Sequence, residues 1–308
     1  MSEDATDNAW NTFWDRERKA GRADNGGGCL PAGWQGIADT QKRVWHSFSR
    51  TLPKGARVLD LATGDGIVLK MIMEKRRDLN LFGVDRAESI PTPPAGITLR
   101  GGVSMEDIPY PDNRFAAVTS QFGFEYGDIE RAAAEIARVI QPSGKLGLIT
   151  HRLSGPIVSH NRKRKEQIAW AIETEGLIDT ARNSLGLRDA GIAAIPQAII
   201  DAPAKGASTF GNGSAAWEIA EAVRQTLHMG RNDDPARVRA ILDDIQAQAS
   251  NEMGRIASLE SAAATASDVD NVVAVLEKAG LAFRSEALLT DGVSASPFAD
   301  FRTYARVD

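Results

Sequence analysis

RVLDLATGDG, residues Arg57 to Gly66, decides the fold of this chain. Val58 and Leu59 form the short apolar run of a strand buried in a parallel sheet, and the sequence then turns abruptly to Asp60, Thr63, Gly64, Asp65 and Gly66. A strand therefore ends in a glycine loop. Ile67, Val68, Leu69, Met71 and Ile72 follow, so the loop opens a helix whose free N–H groups face it. Such a unit is a ligand cradle.

A dinucleotide-binding fold begins in the same way, but its fingerprint places a third glycine at position 69, where this chain has Leu69. It also seats a pyrophosphate on the helix N-terminus, which carboxylates at Asp60 and Asp65 would repel. Two acids in the loop favour a cationic ligand without phosphate. S-adenosyl-L-methionine, with its ammonium and sulfonium, meets that description. Asp85 closes the next apolar run, LFGVD, where its two oxygens can accept hydrogen bonds from ribose hydroxyls.

At these residues the chain resembles the class I S-adenosylmethionine-dependent methyltransferases. Their glycine motif reads acid-x-Gly-x-Gly-x-Gly, and Asp60, Ala62, Gly64 and Gly66 occupy its places. Ala62 is a departure, tolerated at that turn where its φ stays negative. The resemblance runs on through MEDIPYPDNRFAAVTSQFGFEY (105–126) and IERAAAEIARVIQPSGKLGLITH (129–151), strongly over 55–151 and weakly over 267–308. It implies an α/β fold, a Rossmann-like doubly wound sheet of seven strands whose last two form an antiparallel pair. It also implies that Ser104, Met105 and Glu106 supply the adenine pocket, and that Arg86 beside Asp85 joins the cofactor contacts. Ser104 stands where many relatives have an aspartate, which leaves fewer acceptors for the adenine amino group.

The domain organisation expected is an N-terminal helical lid over 1–50, a cofactor-binding core over 51–152, a helical insertion after the fifth strand over 153–266, and the end of the core over 267–308. Trp10, Trp14, Trp34 and Trp45 crowd the first 45 residues, either packing on the main domain or folding over the cofactor through Arg, Lys, Gln and Trp of 34–46. The fourth strand, FAAVTSQF, ends at QFGFEY. Ligands of a doubly wound sheet sit outside the carboxyl ends of its strands, so Gln121, Phe122, Glu125 and Tyr126 fall at the site, Gln121 on the cofactor side. Asp128 caps the next helix, which Pro142–Gly144 is expected to end before the fifth strand, KLGLITH.

Beyond Leu153 the periodicity turns helical. Asp234 and Pro235 start one helix with Val238, Ile241, Leu242 and Ile245 on one face, and Trp217, Ala220, Val223 and Leu227 mark another. DAPAKGASTFGNGS (201–214) reads as a mobile loop, and the basic run Arg162 to Lys165 as a solvated face or an anion site. The insertion is either a substrate cap or a surface for a second subunit. Ser267 or Asp268 caps the last helix, and LAFRSEALL and FADFRTYARV are the closing strands.

With 43% hydrophobic and 25% charged residues, a chain of 308 can bury a full core. A net charge of −5 and a pI near 5.5 give no electrostatic footprint for nucleic acid. Cys29 is the single cysteine, so neither a disulfide framework nor a cysteine zinc site is expected, and no metal. An acidic N-terminus and the lack of an apolar run of about 18 residues point to the cytoplasm and away from the membrane.

Methyl transfer displaces a carbon already activated by the sulfonium, so the protein mainly aligns the two reactants. A hydroxyl acceptor gains from a general base, and His151, at the carboxyl end of the fifth strand, is the first candidate, ahead of His46, His160 and His228. Glu125 and Tyr126 are the next catalytic candidates. The reading is a methyltransferase acting at oxygen or nitrogen of a small, partly apolar metabolite. A protein or RNA methyltransferase and a non-catalytic cofactor-binding module are the alternatives, and a homodimer is left open.

Overall fold

Alternation along the strands sorts the apolar residues onto two faces. Val58, Ala117 and Ile149 belong to one buried cluster, and their chain neighbours Leu59, Val118 and Leu148 to the other. The computed structural model describes Trp10, Thr12 and residues 34–187, 194–292 and 296–307. By contacts it divides into two units, residues 1–159 with 258–308 and residues 160–257.

The first unit holds a seven-stranded sheet, as expected: β1 Arg57–Leu61, β2 Asn80–Val84, β3 Ile97–Arg100, β4 Phe115–Gln121, β5 Ile140–His151, β6 Leu281–Leu289 and β7 Ala299–Arg306. Their order is β3-β2-β1-β4-β5-β7-β6. The first five run parallel, and β7 is antiparallel to both β5 and β6. The order reverses between β1 and β4, so the carboxyl ends of these neighbours flank the switch point where such sheets bind ligands.

Helices α1 (Gln35–Arg50) and α2 (Ile67–Lys75) cover one face, joined there by Ile157, Val158, Leu259 and Ala263. Helix α3 (Ile129–Val139) covers the other face, as does the helix capped by Asp268, which accepts from the Asn271 amide. Asp128 caps α3 by accepting from the amides of Glu130 and Arg131. Pro142, Ser143 and Gly144 lie inside β5 instead of ending the helix, at an irregularity in its pairing with β4. Gly147 in β5 leaves room for α1: a Cβ there would lie 3.1 Å from Phe48 and 3.2 Å from Trp45.

The second unit is helical. Its core gathers Leu177, Ile178 and Leu185, Ile199 and Ala202, Val223 and Leu227, and Val238 and Leu242. Its compact bounds, 160–257, are narrower than the expected 153–266. After α4 (Pro156–Ala169) and α5 (Leu177–Gly186) comes α6, Gln197–Phe210, where a loop was expected from 201. Packing overrides propensity there. Pro203 and Gly206 are buried, and a Cβ at Gly206 would sit 3.2 Å from the Trp217 amide nitrogen, in the next helix, α7 (Ala215–Met229). Small and rigid residues thus serve close helix approach. The run from Arg162 lies within α4, and Arg164 is bound by Glu252 and by Glu218 at 3.2 Å. The last long helix, α8, spans Pro235–Ser267, with Asp234 accepting from the Ala236 amide.

Candidate active site

The cradle begins where β1 runs out. Asp60 is buried, and one oxygen accepts from the Thr119 hydroxyl of β4 at 2.7 Å. Ala62, Gly64 and Gly66 then take left-handed φ of 51°, 51° and 75°. Ala62 therefore departs from the negative φ expected of it, which costs an alanine about 1–2 kcal/mol. Gly66 caps α2, so the amides of the first helical turn open at the loop. Asp85 ties the loop to the end of β2, accepting from the Gly64 amide at 2.7 Å and the Ala87 amide at 2.9 Å. Each of its oxygens keeps one lone pair for a ribose hydroxyl. Asp65 turns to its own helix, accepting from Ile67 and lying 3.6 Å from the Lys70 ammonium.

Of the three carboxylates in this small volume, Asp65 has Lys70 as a basic partner. Burial pushes all three above the ordinary carboxylate range. Asp60 is raised to about 7, with the Thr119 hydrogen bond opposing burial and the charges of Asp85 and Asp65 adding to it.

Ser104, Met105 and Glu106 follow the loop after β3. The Ser104 hydroxyl donates to Glu106, whose other oxygen accepts from the Asp128 amide at 2.9 Å. Glu106 is thereby drawn to the start of α3, while Met105 packs against Gly127. Gln121 ends β4, and its side-chain oxygen accepts from the Trp45 indole at 2.8 Å. Arg86 is exposed beside Asp85.

A second constellation forms at the ends of β4 and β5. Glu125 is buried, and its Oε1 accepts from the His151 amide at 3.0 Å and faces His151 Nδ1 at 2.9 Å. An ionised carboxylate only accepts, so the proton of a neutral ring sits on Nδ1 and Nε2 keeps its lone pair. The Phe122 ring stacks on His151 at 4.1 Å, Tyr126 meets it edge-on at 6.0 Å, and Trp10 meets Tyr126 edge-on at 5.9 Å. The three catalytic candidates are thus in one cluster. His46 lies 3.7 Å from Glu74, and His160 and His228 are exposed.

Residues 59–148 match the family described as a methyltransferase domain. The core is a class I S-adenosylmethionine-dependent methyltransferase domain. A demethylmenaquinone methyltransferase of Thermus thermophilus is 34% identical over 98 residues, covering 29% of this chain and 44% of its own. A ubiquinone/menaquinone biosynthesis C-methyltransferase of Geobacter sulfurreducens is 33% identical over 103 residues, covering 30% and 40%. The chain thus spans less than half the length of these two relatives. A solved Haloferax volcanii methyltransferase, in complex with the Trm112 methyltransferase activator, is similar over 97% of this chain and 98% of its own at 13% identity, with a TM-score of 0.47.

S-adenosylmethionine is the cofactor of this methyltransferase domain. The residues present fit it: burial raises all three carboxylates above their ordinary range, and a cation among them opposes that shift. Sequence reading missed Thr119, which sits under Asp60 without any motif of its own, and it missed the Glu125 link to His151. It left Trp45 between two readings, and the structure buries that ring in the core with its indole on Gln121. Residues 1–9, 11 and 13–33, which hold Trp14 and most of the expected lid, lie outside the described residues.

Asp60 yields a test with opposed signs. Between an unfolded pKa of about 3.9 and the folded value of about 7 the folded chain holds a proton that the unfolded chain has lost, so stability falls as pH rises through that window. Asp60→Asn, which still accepts from Thr119, should raise the melting temperature of the cofactor-free protein at pH 8 by roughly 2–4 °C or more, and change it little at pH 4. Its affinity for S-adenosylmethionine should fall. Lower stability at pH 8 together with unchanged affinity would remove Asp60 from the cradle.

Proposed function

We propose that the chain transfers the methyl group of S-adenosylmethionine to a hydroxyl-bearing, partly apolar small molecule, with His151 as general base. The observation that carries this reading is the hydrogen bond of His151 to buried Glu125 at the carboxyl end of β5. When bound, the cofactor supplies a sulfonium-activated methyl group. Asp60 would hold its charged end, and Asp85 its ribose. Glu125 fixes the ring of His151 so that Nε2 can take the acceptor proton as the oxygen attacks, and balances the imidazolium that results. Phe122, Tyr126 and Trp10 offer the ring faces and edges that an apolar acceptor needs beside the base.

A second reading comes from the two relatives above, one named as a demethylmenaquinone methyltransferase and the other as a ubiquinone/menaquinone biosynthesis C-methyltransferase. The same base serves it. Removing a proton from an aromatic hydroxyl also raises electron density on the neighbouring ring carbon, so an aromatic acceptor can be methylated at carbon. Product analysis separates the readings: an O-methyl product has lost its acidic hydroxyl, and a C-methyl product keeps it. Within the same proposal the inserted helices select the substrate, the N-terminal residues serve as lid, the protein acts without nucleic acid, and a homodimer is open. Turnover on a protein or RNA panel, or binding without turnover on any panel, would overturn it.

The cofactor assignment is tested by calorimetry, which should show S-adenosylhomocysteine binding and no NAD binding. Asp85→Ala should weaken that binding by about 1–3 kcal/mol through lost charge-assisted hydrogen bonds, with a cooperative melt retained. Wild-type affinity in Asp85→Ala would take the ribose away from Asp85.

A further inference from the structure

We propose that Gly123 is a positioning residue that locks the cofactor loop to the loop carrying Glu125, and that it is glycine because Ala62 is not. The inference rests on the reading of residues 60–66 as the cofactor seat. Where the family motif has glycine this chain has Ala62, held at a φ of 51°. The methyl group that this adds needs a place. A Cβ on Gly123 would lie 2.4 Å from the Ala62 Cβ, 2.9 Å from Ser120 Oγ and 3.3 Å from the Leu61 carbonyl oxygen. The first distance is far inside contact, and neither partner is the end of a flexible side chain. Of the two positions this chain carries the methyl group on residue 62, and a second one on residue 123 has no room beside it.

What the contact joins gives it a consequence for the reaction. Ala62 lies two residues from Asp60 and two from Gly64, whose amide holds Asp85. Gly123 lies two residues from Glu125, which holds both the amide and the ring of His151. The flanking bonds are fixed to the sheet: Ser120 Oγ donates to the Leu61 carbonyl at 3.1 Å and accepts from the Phe124 amide at 3.0 Å, and the Phe122 amide donates to the Ile149 carbonyl at 2.8 Å. A methyl group forced in at 123 must displace either the cofactor loop or the segment that aims the base. Both halves of the site then move apart together.

The test is a double-mutant cycle on the full-length protein, read by calorimetry with S-adenosylhomocysteine and by thermal melting without ligand. Gly123→Ala should bind at least about tenfold more weakly and melt lower, and Ala62→Gly is the second single variant of the cycle. The double variant Ala62→Gly with Gly123→Ala should regain a measurable part of the lost affinity and melting temperature, since the 2.4 Å contact is removed while the 2.9 Å approach to Ser120 Oγ remains. A generic structural lesion at Gly123 would not be rescued from position 62. A double variant no better than Gly123→Ala in both readouts overturns the proposal. If Gly123→Ala does not fold, a cooperative melt in the double variant supports it and the lack of one overturns it. Should the wild type bind no S-adenosylhomocysteine, the cofactor reading fails, and the melting cycle still decides whether the two positions are interlocked.

Discussion

Replacing His151 with alanine should lower turnover by about 10²–10⁴, the loss expected for a general base, with affinity for S-adenosylhomocysteine nearly unchanged. The cofactor loop makes its own bonds to Thr119, Asp85 and α2, and none of them uses the imidazole. The variant keeps the His151 backbone amide on Glu125, so the end of β5 stays anchored. Glu125→Gln offers the control. It preserves the shape of the buried side chain but weakens the hold on the ring and removes the balancing charge, so it should lower turnover by a smaller factor and leave cofactor affinity alone. Full activity in His151→Ala would assign the reaction to alignment alone, as for an amine acceptor that enters neutral.

The cofactor half of the site was legible because its information is local. Apolar run, acid and glycines fall within the ten residues from Arg57 to Gly66, the helix follows from Ile67, and Asp85 is marked by the same strand-end logic one unit later. The sheet was legible for a related reason, since five short apolar runs in chain order leave few topologies. The base half was legible only as a location. Glu125 and His151 each fall at a strand end, but their hydrogen bond joins residues 26 apart, and no periodicity encodes it. The methyl group of Ala62 against Gly123 belongs to the same kind of fact. Its backbone angle is set by a turn whose energetics are visible only once β1 and β4 are side by side. The segment from Asp201 failed for the opposite reason: Pro203 and Gly206 read as breakers, while both are buried in the helix and Gly206 lies close against the helix of Trp217. Propensity is a weak prior wherever burial is strong.

Trp45 is the residue whose loss should cost most in stability. It sits on α1, fully buried against the sheet, with Phe48 at 5.8 Å and Phe301 at 5.8 Å, both edge-on, and it fills the space that Gly147 leaves open in β5. Trp45→Ala should therefore lower the free energy of unfolding by about 3–5 kcal/mol, from lost transfer energy and the cavity left behind. The indole has a second role. It donates to Gln121, the last residue of β4 and the first of the segment that leads to Glu125, so truncation also leaves the Gln121 oxygen without its donor. Trp45→Phe separates the two contributions. It retains most of the buried ring and loses the hydrogen bond, so it should cost about 1–2 kcal/mol and shift turnover more than Trp45→Ala would be expected to by destabilisation alone under conditions where both are folded. Denaturant titrations of the three proteins, with activity measured well below each midpoint, provide the comparison. A Trp45→Ala variant within about 1 kcal/mol of wild type would mean that α1 does not form part of the core, and would return this tryptophan to the lid.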